Sequence, residues 1–243
     1  MTLQKIYTGT SSIRNPTWQP LFFPEGLPSS KWFEYYCEYF NTYEINASFY
    51  KFPTVRTLQN WYRKSPPGFL FAVKAPKVIT HTKKFIDVAD ELDELYAVCA
   101  EGLKEKLKCV LFQCPPSFSY SEERLEIILA SLDYDHNNVV EFRHESWWRP
   151  DVFASFSAHG ITFCSVSYPL LPNEIVSTTR LGYLRLHGVP NLFYSGYDEQ
   201  QLSHYLLEIS NRDDVKEFFV YFNNTAGIEG IKDALLFKEL VSK

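Results

Sequence analysis

No apolar run in the sequence approaches the roughly eighteen residues of a membrane helix, so a helical span is excluded. The opening Met-Thr-Leu-Gln-Lys carries neither the charged nor the hydrophobic block of a secretion signal, and a cytoplasmic location is expected. An excess of positive charge is also missing. Lys plus Arg number 24 against 29 Asp plus Glu, a formal charge of -5, so no global field gathers nucleic acid or anionic lipid. The five cysteines, Cys37, Cys99, Cys109, Cys114 and Cys164, are scattered through apolar segments and form no Cys-x-x-Cys pair. That spacing excludes a disulfide framework and predicts reduced packing residues. No Gly/Ser-rich or like-charged stretch is long enough to act as a linker, so one domain over residues 1–243 is expected. A Gly-rich phosphate turn is absent after the first strand-like run, where Gly9-Thr10-Ser11-Ser12 has one glycine, which counts against a doubly wound dinucleotide fold.

What remains is enough apolar side chain, 45% of 243 residues, to bury one sizeable core. Short β-rich runs recur at Ile6 to Gly9, Thr42 to Asn46, Phe69 to Lys74, Cys109 to Gln113, Asn138 to Arg143, Ile161 to Val166, Gly182 to His187 and Phe218 to Asn223. Helical patterns lie between most of them: Ser30 to Phe40, Thr54 to Lys64, Ala89 to Lys106, Ser121 to Leu132, Asp151 to His159, Asp198 to Ser210 and Gly230 to Val241. Ser30 and Ser121 stand where N-caps would stand. The alternation, with strands apolar on both sides, predicts an α/β chain forming a single (β/α)8 TIM-type barrel. Ser167 to Arg180 has Pro169 and Pro172 and no helical stripe, so a loop is expected in place of the sixth helix.

The strand ends are unusually polar. With a side-chain period of two, Glu44 and Asn46 share a face of one strand, Glu141 and Arg143 of another, Arg185 and His187 of a third. Lys74, Gln113 and Asn223 end three more runs. Ionised groups are costly in a core unless paired or used, and chemistry in a barrel is placed at the C-terminal strand ends. Glu44, Glu141, His187 and Lys74 are therefore the expected catalytic groups, as bases, proton shuttle, and point charge or nucleophilic amine. Arg143, Arg185, Asn46, Gln113, Asn223, His81 and Trp147 are the expected substrate-binding groups, the arginines gripping a carboxylate or phosphate and Trp147 stacking on a ring. Two acids and three bases leave the cup at about +1, which an anionic ligand group would balance. A rival explanation is an internal ion-pair lattice with no ligand. No cofactor is expected. A divalent metal on Glu44, Glu141, His81, His187 and His144 is disfavoured by the adjacent arginines.

The segments Thr42-Tyr-Glu-Ile-Asn-Ala-Ser-Phe-Tyr50, Glu141-Phe-Arg-His144 with Ser146-Trp147, Arg185-Leu-His-Gly188 and Tyr221-Phe-Asn-Asn224 resemble the YecE-like family, number seventy-two among the domains of unknown function. The likeness continues through Gly9, Trp18, Phe23-Pro24, Trp61, Phe71-Ala-Val-Lys74, Thr80-His81 and Gln113-Cys-Pro-Pro116, across nearly the whole chain. It implies a TIM-type barrel with a polar pocket at its C-terminal face, and no settled reaction. It implies departures too. Ile13 stands where relatives often have an aromatic residue, Ser165 and Ser167 where many have an aspartate, and Asp233 where asparagine is common.

The expected function is thus an enzyme, hydrolase, lyase or isomerase, using acid/base chemistry on a small polar anionic substrate, phosphate- or carboxylate-bearing and sugar-like. Two alternatives stay open. One is a nucleic-acid-binding or metal-dependent endonuclease-like protein that uses the basic stretch Lys74 to Lys84, disfavoured by net charge; the other is a non-catalytic ligand-binding scaffold. Oligomeric state is not set by the sequence, and no membrane partner is expected.

Overall fold

A computed structural model describes residues 4–19 and 21–243. Nine strands, β1 (Lys5–Thr10), β2 (Thr42–Ile45), β3 (Leu70–Lys74), β4 (Leu107–Gln113), β5 (Asn138–Glu141), β6 (Thr162–Phe163), β7 (Ser165–Ser167), β8 (Leu181–Leu186) and β9 (Glu217–Phe222), pair only in parallel. They form two sheets, ordered β1-β9-β8-β7 and β2-β3-β4-β5-β6. Among the described residues there are eight helices, seven between strands and the last after β9: α1 (Trp32–Tyr39), α2 (Ala47–Tyr50), α3 (Val55–Lys64), α4 (Ala89–Leu103), α5 (Glu122–Ser131), α6 (Pro150–Ala158), α7 (Glu199–Ser210) and α8 (Glu229–Val241). No helix lies between β7 and β8, where the two prolines fall. Among the described residues no helix is long and apolar enough to cross a membrane.

The expected single closed ladder is not what the backbone hydrogen bonds make. On one side Cys164 alone separates β6 from β7, so the chain steps directly from one sheet to the other. On the other side β1 and β2 lie edge to edge without a ladder, and side chains take its place. The Tyr36 hydroxyl on α1 accepts from Thr10 N (2.8 Å) and donates to Thr42 O (3.0 Å). Tyr221 and Thr42 hydroxyls bond beside it. Gly9 makes this approach feasible, because a Cβ there would lie 2.5 Å from Thr42 O. Gly9→Ala is expected to cost about 1–3 kcal/mol, read by urea denaturation, because backbone must shift to admit the methyl group.

Alternation along the strands sorts the core in two. Phe218, Val220 and Phe222 of β9 join the large cluster under the helices, whereas Phe219 and Tyr221 join a smaller inner cluster with Ala72, Leu111, Val139, Val166 and Tyr183. Caps set several helix starts. Ser121 accepts from Arg124 N, and Asp198 forms a full capping box with Gln201. Ser30 is not an N-cap. It lies in a short 3-10 turn (Ser29–Lys31), and α1 begins after Lys31 without a side-chain cap. Four of the cysteines are buried and Cys37 is half-buried, all unpaired; burial pushes the Cys37 and Cys99 thiols up to about 12.

Candidate active site

The inner faces of β8, β5, β4 and β3 change character toward their C-terminal ends. β8 runs Leu181, Tyr183, Arg185; β5 runs Val139, Glu141; β4 runs Cys109, Leu111, Gln113; β3 runs Leu70, Ala72, Lys74. The apolar members plug the centre, and the polar ones gather above it at one end. Arg185 sits in the middle, about 1% exposed. Its Nε and Nη2 donate to Glu44 (2.7 Å from Nη2 to Oε1), its Nη1 to Glu141 (2.6 Å), and Tyr183 donates its hydroxyl to Glu44 (2.6 Å). Arg143 Nε donates to the other Glu141 oxygen, its Nη2 lies 3.1 Å from His187 Nε2, and its guanidinium stacks 4.1 Å from the Tyr168 ring centre. Asn223 closes the chain on His187 Nδ1 at 2.7 Å.

This lattice is electrically complete. Glu44 and Glu141 balance Arg185 and Arg143, charge for charge. Burial would raise the Glu141 carboxyl, but Arg143 and Arg185 outweigh it and hold it well below the usual carboxylate range. Burial, then the Arg143 charge, holds the His187 imidazole well below its ordinary value, so it is neutral. A neutral His187 has one N–H. If it lies on Nε2 it faces Glu141 (3.2 Å); if on Nδ1, Nε2 accepts from Arg143.

Lys74 is the surplus charge. It ends β3 half-buried on the wall of a cavity of about 320 Å³ that Arg143, Arg185, Asn46, Gln113, Asn223 and His81 also line. Its Nζ donates to Gln113 Oε1 (2.8 Å) and lies 4.0 Å from the Phe49 ring centre. Among the described residues it has no carboxylate partner within ion-pair distance. Burial first, then the Arg185 charge, lowers its ammonium to about 7. His81 Nδ1 engages Thr80 Oγ1 (2.9 Å), its ring packs edge-on against Phe49, and burial with the Lys74 charge lowers its pKa as well.

Of the four side chains expected to be catalytic, only Lys74 reaches the cavity wall. Glu44, Glu141 and His187 are fully enclosed beneath it, consumed by the arginines and by one another. All the expected binding residues line the cavity except Trp147. That indole is a core residue: it stacks on Phe142 (4.0 Å, 6°) and Phe118, and its Nε1 donates to Phe118 O (2.7 Å). The turn Glu145–Trp147 that follows Arg143 carries it inward, so no ring of a ligand can meet it. The rings that do border the cavity are Phe49, Tyr50, Tyr168 and Phe193, which sequence reasoning did not single out. For Phe49 and Tyr50 the available signal was position, three and four residues beyond Asn46 at a polar strand end, inside a segment that carries the family likeness.

Ser165 and Ser167 alternate with the inner-core Cys164 and Val166, so their side chains leave the inner face. Ser165 Oγ accepts from Val176 N (2.9 Å) and ties the helix-free segment to β7. Ile13 is a buried core residue. Asp233, on α8, accepts from Asn224 Nδ2 (2.7 Å) and Tyr197 N (3.1 Å), and so fastens the segment after Gly188 to the end of β9. Burial raises its carboxyl from 3.8 to about 7. A raised carboxyl stabilises the fold when protonated and costs stability as pH rises through the folded value. Asp233→Asn keeps both hydrogen bonds and removes the charge. It is expected to gain about 1–3 kcal/mol at pH 8, with the gain fading between pH 7 and pH 4 in urea titrations.

Among the described residues no three His, Cys, Asp or Glu side chains come together as a metal-binding group. His144 instead accepts from Ser146 N and caps the turn that follows it. The basic stretch is partly neutralised: Lys83 pairs with Glu91 and donates to Asp87 O. Its middle, Val78–Thr82, is a π-helical turn that aims His81 at the cavity.

The model of the family described as "Protein of unknown function DUF72" matches residues 7–243. A curated relative, the UPF0759 protein YunF of Bacillus subtilis (strain 168), is 24% identical, with 84% of each chain covered. A crystal structure of a DUF72 family protein from Thermotoga maritima MSB8 is 30% identical and superposes with a TM-score of 0.89, covering 99% of this chain and all of the other. A second DUF72 structure, from Enterococcus faecalis V583, shares the fold at 18% identity and a TM-score of 0.82, covering 98% and 96% of the two chains. Matched by the family model over nearly its whole length, the protein belongs to the DUF72 family.

Proposed function

We propose that this protein is an enzyme that holds a small phosphate- or carboxylate-bearing substrate, sugar-like in size, at the C-terminal strand ends and moves a proton with Lys74. One observation carries the reading. Lys74 is the cavity cation without a carboxylate partner, while the charges of Arg143 and Arg185 are matched below it. A bound anion would supply the missing negative charge, and Arg143, fixed by Glu141 and Tyr168, would be its second anchor. An amine that titrates near neutrality is suited to give or take a proton at physiological pH. Glu44 and Glu141 serve in this reading as counter-charges that hold the arginines, and neutral His187 as a brace for Arg143.

The same reading treats residues 1–243 as one domain and the two sheets as a (β/α)8 barrel, with β6 and β7 one interrupted strand and Tyr36 sealing the seam. Chemistry at the C-terminal strand ends is the rule in such barrels. The amide groups of Asn46, Gln113 and Asn223 fit a hydroxylated ligand, and the rings of Tyr168 and Phe193 fit its carbon faces.

Calorimetric titration with inorganic phosphate, glycerol 3-phosphate and malonate at low ionic strength tests the proposal. At least one should bind, and Arg143→Ala should weaken it by about tenfold or more, the worth of one charge-assisted contact. If none of the three binds, or if Arg143→Ala leaves their affinities unchanged, the anion-binding reading is wrong.

A further inference from the structure

The arrangement around Lys74 supports more than proton transfer. A neutral amine has two N–H donors and one lone pair. Gln113 Oε1 takes one donor at 2.8 Å, and it is fixed there because Gln113 Nε2 is committed to Cys114 O at 2.7 Å. The Phe49 ring covers a second side of the nitrogen, 4.0 Å from its centre. Neither neighbour occupies the lone pair, and the remaining open side of Nζ is the cavity. Other lysines of this chain are held differently: Lys83 pairs with Glu91 and Lys108 with Glu217, and the buried Lys106 donates to three oxygens, Tyr62 O, Ser65 O and Ser65 Oγ. At Lys74 no carboxylate stands within ion-pair distance, and burial first, then the Arg185 charge, outweighs the more distant Glu141 and Glu44 and lowers its ammonium to about 7.

We propose that Lys74 is a nucleophile whose Nζ condenses with an aldehyde or ketone bearing a carboxylate or phosphate, forming an imine in this cavity. The inference rests on the anion-binding reading above, since Arg143 on the same cavity wall would hold the acidic group while Nζ meets the carbonyl. The amine attacks the carbonyl carbon, a C–N bond forms, and the carbonyl π pair moves to oxygen, which takes one amine proton. The C–O bond then breaks, water leaves with the second amine proton, and the C=N bond forms. Amine plus carbonyl becomes imine plus water, with no redox partner. His81, whose imidazole lines the same cavity and packs on the same Phe49 ring as Lys74, is the group this proposal assigns to carry the protons between nitrogen and departing oxygen.

Trapping with borohydride decides the matter. The full chain is incubated with pyruvate or glyoxylate at pH 7.5, reduced, digested and mapped by mass spectrometry, beside Lys74→Arg and an inorganic phosphate titration. Lys74 should carry a reduced adduct on the order of a hundredfold more than the average lysine, reflecting its larger free-amine fraction, and Lys74→Arg should lose that site's label. Labelling spread evenly over the lysines, or none at Lys74, overturns the imine. If phosphate binding persists in that case, the anion site survives without it; if phosphate binding fails while Lys74 is labelled, the imine stands and the anion site falls.

Discussion

Arg185→Met is expected to destabilise the protein by about 3–5 kcal/mol, the usual cost of removing one partner from an enclosed ion-pair network. For a chain of this size that is a fall of roughly 6–20 °C in Tm. The reason is not the lost attraction alone. Glu44 and Glu141 are both fully enclosed, and each has Arg185 as a direct hydrogen-bond partner. Without it Glu44 keeps only Tyr183 and Asn46, and Glu141 keeps Arg143 and the neutral His187. Two fully enclosed acids would then share one cation. Either one takes up a proton or the lattice opens, and both cost stability at pH 7. Adding Glu44→Gln to Arg185→Met removes the orphaned charge and should recover part of the loss, a coupling that urea denaturation of the four variants measures. A loss below about 1 kcal/mol for the single variant would mean that water reaches these carboxylates freely.

Much of this lattice was legible in the sequence because strand parity is strict. Glu44, Glu141 and Arg185 had to face one way if their strands formed, and the recurrence of acid and base at strand ends marked a common chamber. Parity does not say which charges consume one another. The sequence sum of about +1 hides that Arg143 and Arg185 are matched beneath the cavity while Lys74 is left over. It also fails where a strand stops. Asn46 follows β2 in helical conformation, yet its Nδ2 still reaches Glu44 (3.2 Å), while the chain beyond delivers Phe49 to Lys74. Trp147 was misread for the same reason, because the turn after Arg143 decides its direction. With 20 Phe and 16 Tyr in the chain, composition could not separate the rings at the cavity from those in the core.

The strongest pH effect is expected at Lys74. Its folded-state value of about 7 lies below the ordinary 10.5. Between those values the unfolded chain binds a proton that the folded chain does not, so stability rises with pH across this window. Below pH 7 both states are protonated, and the fold bears the full cost of a buried ammonium beside Arg185 and Arg143, offset only in part by Glu141 and Glu44. Lys74→Met removes that cost. The variant should exceed the natural protein in stability by about 3–5 kcal/mol at pH 6, and the gain should decline through pH 7 to little at pH 10. Titrating groups away from the cavity cancel in the difference between the two proteins; His81, which feels the Lys74 charge, does not, but its lowered value keeps its own transition at the acid side of this window. Phosphate gives the converse test: at pH 6 it should stabilise the natural protein, whose ammonium gains a counter-ion, and leave Lys74→Met little changed. A difference that is flat from pH 6 to pH 10 would mean that the amine titrates alike in both states. Proton transfer and imine formation near neutrality would then both lose their basis in Lys74.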